Sequence, residues 1–219
     1  MKENLTELVF ILDRSGSMHS MANEAVGGFN SFLEEQKKCP GDAKLTLVLF
    51  DHEYQLVHNG KNIQEIEPLC TRTYAPRGTT ALIDAVGRTI DDVGKRLSET
   101  PERDRPSKIL VAILTDGLEN ASRDYDKKRI REMISHQQNK YSWKFVFLAS
   151  NQDAFSEATK IGISGNLSLN YACSAVGYKD AFTLCSEAAT SYRRSGKLDN
   201  LRQSPIVPDI NVDTNGTTK

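Results

Sequence analysis

Four short stretches of the chain are apolar with almost no polar interruption: residues 8–12, 45–50, 109–114 and 145–149, each rich in Val, Ile, Leu or Phe. A strand that faces water on one side alternates polar and apolar positions. Unbroken apolar runs of this length read instead as strands covered on both faces, as in a parallel sheet. Between these runs the apolar positions recur at helical spacing. Ala22, Ala25, Phe29, Phe32 and Leu33 share one helix face, and Leu82, Ala85, Val86, Thr89, Ile90, Val93 and Leu97 share the most regular one. A weaker helix is expected over residues 126–138, with Ile130, Met133 and Ile134 inward. A short helix is expected after Gln152, and a last one over 179–194 with Phe182, Cys185, Ala189 and Tyr192 on one side.

Alternating strands and helices predict an α/β fold, a doubly wound and mostly parallel sheet with helices on both faces. One connection differs. Residues 50–54 read as a tight turn into a second strand over 54–58, which predicts one antiparallel edge strand. The pattern supports one domain over residues 1–195. Beyond it, Pro205, Pro208, Asn215 and Gly216 lie among Thr and Asp, and 196–219 reads as a C-terminal tail.

The 219 residues are 38% hydrophobic and 26% charged, a composition that builds a buried core. A formal net charge of −1 offers no basic field for nucleic acid or acidic lipid, and no apolar run is long enough to span a membrane. The charged first residues do not read as a leader. Cys39, Cys70, Cys173 and Cys185 form no CxxC pair and no zinc-ligand spacing with His19, His52, His58 or His136. Reduced thiols and a cytoplasmic setting are the expectation.

Candidate chemistry lies where the apolar runs stop. The first ends in Asp13-Arg14-Ser15-Gly16-Ser17, one carboxylate and two hydroxyls at alternate positions. The run at 109–114 ends in Leu114-Thr115-Asp116-Gly117, and Arg77-Gly78-Thr79-Thr80 opens the most regular helix. Ligands of doubly wound sheets bind beyond the carboxyl ends of the strands, near the point where strand order reverses. If the two Asp-bearing strands are neighbours, Asp13, Ser15, Ser17, Thr80 and Asp116 converge. Their donors are all hard oxygens, which suit Mg²⁺, then Mn²⁺ or Ca²⁺, and disfavour Zn²⁺. Three or four protein ligands leave the Mg²⁺ shell incomplete, and one directly bound carboxylate leaves roughly one positive charge there.

Asp13-x-Ser15-x-Ser17 after an apolar strand, then residues 78–86, then Leu114-Thr115-Asp116-Gly117, resembles the von Willebrand factor type A domain and its split metal-ion-dependent adhesion site. The likeness is clear over residues 6–149. It implies a six-stranded sheet with one antiparallel edge strand and an interaction module rather than an enzyme. It implies metal ligands at Asp13, Ser15, Ser17, Thr80 and Asp116, with Gly117 and Glu119 beside them on the ligand-binding face. The partner it implies is a protein presenting Asp or Glu, within a larger complex, in an intracellular bacterial or phage setting. The family threonine follows two glycines. Here Thr79 holds the second glycine's place, so Thr80 is the favoured ligand and Thr79 the alternative. A Mg²⁺-dependent phosphohydrolase with Asp13 as nucleophile fits less well, because Ser15 stands where such enzymes carry their acid. No GxGxxG or GxxxxGK[ST] follows the first strand, which sets nucleotide-binding folds aside.

Around these residues, Asp84 is expected on the exposed or salt-bridged face of its helix, or at the site rim. Asn120 and the segment 151–153 are expected on the metal face, and His19 near its rim. Trp143 is expected in the core or at an edge, and Lys127, Lys128, Arg129 and Arg131 on a solvated helix face.

Overall fold

The structure is a computed structural model that describes residues 1–150, 153–198 and 200–201. In chain order the elements are β1 (Lys2–Asp13), α1 (Ala22–Lys38), β2 (Asp42–Phe50), β3 (Tyr54–Asn62), α2 (Leu82–Glu99), β4 (Pro106–Thr115), α3 (Lys127–Tyr141), β5 (Lys144–Ala149), α4 (Ala154–Lys160), β6 (Ser168–Asn170) and α5 (Ala175–Ser195). One six-stranded sheet has the order β3-β2-β1-β4-β5-β6. All neighbours pair parallel except β2 with β3, which form the antiparallel hairpin expected at the edge.

The apolar runs are unbroken because both faces of the sheet are covered. Leu8, Phe10 and Leu12 of β1 point to the layer that holds α1 and α5. Val9 and Ile11 point to the opposite layer, with α2, α3 and α4. Trp143 is buried in the second layer beside Phe145. In the first layer Phe10 meets Phe29 and Phe32 edge-on at 5.6 and 5.0 Å and stacks on Phe182 at 5.8 Å. That stack pens the Phe182 ring against Gly28 of α1, where an added Cβ would lie 2.1 Å from the ring. At Gly27 an added Cβ would meet nothing within 4 Å. Alanine in place of a mid-helix glycine gains about 1 kcal/mol of helix propensity. Gly27→Ala is therefore expected to raise the urea midpoint. Gly28→Ala is expected to lower the unfolding free energy by roughly 1–3 kcal/mol, and the midpoint with it, because overpacking outweighs propensity. Equal effects of the two would contradict this packing.

Several boundaries move from their expected places. β1 starts at Lys2 rather than residue 8, and α5 starts at Ala175 rather than 179. The sixth strand has three residues, too short to show as an apolar run. Gly196 ends α5 in the left-handed region at φ 71°, and Leu201 beyond it is buried in the first layer. Most of the expected tail, residues 199 and 202–219, lies outside the described residues, as do 151–152. The four cysteines form no disulfide. Among the described residues no helix is long and apolar enough to cross a membrane.

Candidate metal centre

β1 sits in mid-sheet between β2 and β4. After β1 the chain moves to β2 on one side; from β3 it crosses back to β4 on the other. Their loops leave in opposite directions, and the crevice between them is the switch point of the sheet. Asp13 closes β1 and Asp116 follows β4 directly, so the two carboxylates expected to converge stand over neighbouring strands.

Asp13 is fully buried. Its Oδ1 accepts from the Ser15 amide at 2.7 Å and its Oδ2 from the Thr115 hydroxyl at 2.5 Å. The Ser15 and Ser17 hydroxyl oxygens are 3.1 Å apart, and the Ser17 hydroxyl donates to Asp116 Oδ1 at 2.6 Å. The point a Cβ on Gly117 would occupy lies 3.1 Å from Thr80 Oγ1 and 3.5 Å from Ser17 Oγ. The Thr80 and Ser17 hydroxyls thus crowd one side of Gly117, and any side chain there would press on both. All five expected ligands and Gly117 are brought together. Thr80 is buried and Thr79 is exposed. Gly78 carries the left-handed backbone of that loop at φ 66°, whereas Thr79 has no positive φ. The missing second glycine therefore costs the loop no strain.

Neither serine is spent on helix capping. Ser15 precedes the 3₁₀ turn without a side-chain cap, and α1 starts after Met21, also without one. Burial pushes the Asp13 carboxyl up to about 6, against the pull of its hydrogen bonds, and the nearby Asp116 adds to the push. Burial raises the Asp116 carboxyl too. The adjacent Arg14 gives no relief, since its guanidinium pairs with Asp51 at 3.0 Å. No ion pair reaches Asp13 among the described residues. A buried carboxylate with hydroxyls around it and no protein cation fits a hard divalent ion. Among the described residues no group of three or more His, Cys, Asp or Glu could hold a metal; this centre is made of two carboxylates and three hydroxyls.

The loop after Gly117 holds residues that the sequence left undecided. Asn120 Oδ1 accepts from the Thr80 amide at 2.9 Å and its own amide donates to the Thr80 carbonyl at 3.1 Å, so Asn120 fixes Thr80 by its backbone. α2 has no side-chain cap of its own. Glu119 accepts from the Ile83 amide at 2.9 Å, and the Asp84 amide donates to Ser122 Oγ at 3.0 Å. These satisfy donors that a helix start leaves orphaned. Glu119 also accepts from the amides of Ala121 and Ser122 and from the Ser122 hydroxyl. Its carboxylate thus braces this loop against the start of α2. Asp84 reciprocates, accepting from the amides of Arg123, Asp124 and Tyr125 at 2.7–3.0 Å. His19 is exposed, and Asp153 caps α4.

No protein-family model matches the chain, and no curated protein does. Solved structures do. Proximal thread matrix protein 1 from the mussel byssus superposes with TM-score 0.58 at 16% identity, over 85% of this chain and 46% of that one. A second form of that protein, with a zinc-occupied MIDAS motif, gives 0.55 at 17% over 84% and 46%. A von Willebrand factor type A structure from Catenulispora acidiphila gives 0.55 at 13% over 86% and 43%. BatB from Bacteroides thetaiotaomicron gives 0.52 at 11%, over 85% of this chain and 98% of that one. The chain spans less than half the length of the mussel and Catenulispora proteins. The strand order, the antiparallel edge and these superpositions together establish that the chain has the von Willebrand factor type A fold.

Proposed function

We propose that this chain is a cation-dependent protein-binding module. Asp13, Ser15, Ser17, Thr80 and Asp116 hold one divalent ion, Mg²⁺ first and Mn²⁺ or Ca²⁺ next, and an acidic side chain of a partner protein completes the site. The observation that carries this reading is the convergence of five oxygen-bearing side chains at the switch point, around a buried Asp13 carboxylate that no basic side chain pairs among the described residues. Bound there, a divalent cation supplies an electrophilic position with net positive charge, which an incoming Asp or Glu carboxylate complements. Asp116 accepts from the Ser17 hydroxyl and so orients that oxygen. The mussel neighbour holds zinc in this motif; the absence of imidazole and thiolate here favours the harder ions. The setting we propose is intracellular and bacterial or phage, with the module serving a larger assembly.

Mn²⁺ tests the reading, because it stands in for Mg²⁺ and relaxes the protons of water bound to it. Wild type is expected to bind Mn²⁺ with exchangeable water, and a short Glu-containing peptide is expected to quench that signal where its Gln counterpart does not. Thr80→Ala is expected to weaken the ion by about tenfold or more, with Thr79→Ala within about twofold of wild type. A bound ion with no exchangeable water would refute the open position. A loss in Thr79→Ala equal to that in Thr80→Ala would move the ligand to Thr79. Turnover of an aryl phosphate that disappears in Asp13→Asn would favour a hydrolase over a binding module.

A further inference from the structure

Three buried tyrosines lie beneath the cluster, and the cation reading makes no use of them. Tyr74, in the segment between β3 and α2, donates its hydroxyl to the main-chain carbonyl of Asp13 at 2.5 Å. Tyr171, just beyond β6, donates to the carbonyl of Thr115 at 2.9 Å. Tyr178, in the first turn of α5, points its hydroxyl at the Met18 sulfur at 2.7 Å. Each contact falls on the cluster or beside it. Asp13 belongs to it, Thr115 donates to Asp13 Oδ2 and precedes Asp116, and Met18 follows Ser17. The donors are themselves anchored. The Tyr74 amide donates to the Cys70 carbonyl and the Tyr171 amide to the Ala149 carbonyl. The Tyr171 and Tyr178 rings meet edge-on at 5.0 Å.

A buried carbonyl has two lone pairs, and at a strand end the backbone fills one at most: the Thr115 carbonyl accepts from the Ser150 amide at 3.1 Å and has room for a second donor. Water or a backbone amide can serve. A phenol supplies the same donor on a stiff arm with only two side-chain torsions, so it also fixes where the carbonyl sits. We infer that Tyr74, Tyr171 and Tyr178 are positioning residues that grip the ends of β1 and β4 and the turn after Ser17 from below, and so hold the cation-binding oxygens in their converged arrangement. This rests on the cation reading above for its purpose and on geometry for its existence. None of the three tyrosines carries a signature in the sequence beyond an aromatic at the start of a helix or in a loop.

The test removes single oxygen atoms. Tyr74→Phe and Tyr171→Phe keep the rings, and Tyr192→Phe is the control, since Tyr192 is equally buried within α5 but contacts the Ile109 backbone instead. Two quantities are measured: amide hydrogen exchange in chelator, and Mg²⁺ affinity by calorimetry. Tyr74→Phe is expected to speed exchange across residues 13–18, and Tyr171→Phe across 115–118, by about threefold to tenfold. Each is expected to weaken Mg²⁺ by a similar factor, with Tyr192→Phe changing neither. Unchanged exchange in both variants, or an equal loss of affinity in Tyr192→Phe, overturns the inference. Faster exchange in a protein whose wild type binds neither Mg²⁺ nor Mn²⁺ supports the grip on the loops and overturns the cation reading.

Discussion

Asp13→Asn is expected to make the metal-free protein more stable and to make it deaf to Mg²⁺. Both effects come from one buried carboxyl. In the folded chain it titrates at about 6 rather than 3.8, chiefly because burial disfavours the charge. A carboxyl raised in this way contributes stability below its unfolded value, and that contribution is lost as pH rises through its folded value. In chelator, therefore, wild type weakens relative to Asp13→Asn between about pH 4 and pH 7, by an amount of order 3 kcal/mol at most. The amide keeps an oxygen for the Ser15 amide, and the Thr115 hydroxyl, which loses its acceptor at Oδ2, turns to the Gly117 carbonyl and accepts from the new NH₂. A cation reverses the ranking. At a concentration of 100 times its dissociation constant, an ion that binds only the folded state adds about 2.7 kcal/mol to wild type. The variant gains nothing. Thermal melts at pH 7.5, with chelator and with Mg²⁺, read both halves at once. If Mg²⁺ lifts the variant as far as wild type, the ion does not sit on Asp13.

The parts of this molecule that the sequence reveals are those where one residue type answers one physical demand. Strands buried on both faces have to be apolar throughout, and α2 has to present a stripe, so β2, β4, β5 and α2 stand out. The proposed ligand residues stand out because hard-ion chemistry accepts few side chains and because strand ends place them. β1 was harder to delimit. Its first half contains Glu7, which reads as solvent-facing but is fully buried, with Thr46 donating to it at 2.7 Å and Arg96 of α2 reaching it from the opposite layer. A buried acid paired through one oxygen with a residue 89 positions away leaves no local trace. The support around the site is illegible for the same reason. Glu119 and Asp84 look like surface acids until the loop amides they accept are placed against α2. The sequence favours Thr80 over Thr79, and the structure adds that Thr80 is buried and Thr79 exposed.

The largest stability loss is expected at Asp51, which no motif contains. It sits at the β2–β3 turn, fully buried, and binds three basic groups: Arg14 Nε at 3.0 Å, Arg77 Nε at 2.9 Å and His52 Nδ1 at 3.3 Å. Arg14 lies between Asp13 and Ser15, and its side chain is nearly as buried as Asp51's own. The backbone ties the same loops together. The Arg14 amide donates to the Phe50 carbonyl, the Arg77 amide to the Arg14 carbonyl, the Gly16 amide to the Gly78 carbonyl and the Ala81 amide to the Asp51 carbonyl. Asp51 is thus the counter-charge for the arginine embedded in the loop from Asp13 to Ser17. Removing one partner of a buried ion pair costs about 3–5 kcal/mol, because the other charge stays buried and uncompensated. Asp51→Ala is expected to fall in that range by urea denaturation. It is also expected to weaken Mg²⁺, because the unmatched Arg14 charge then opposes a cation nearby. Removing both charges distinguishes pairing from packing. In the double variant Arg14→Gln with Asp51→Asn no charge is stranded, so its cost is expected to fall short of the summed single costs by about 1–3 kcal/mol. Costs that add to within about 0.5 kcal/mol would show that Asp51 fills space and balances nothing.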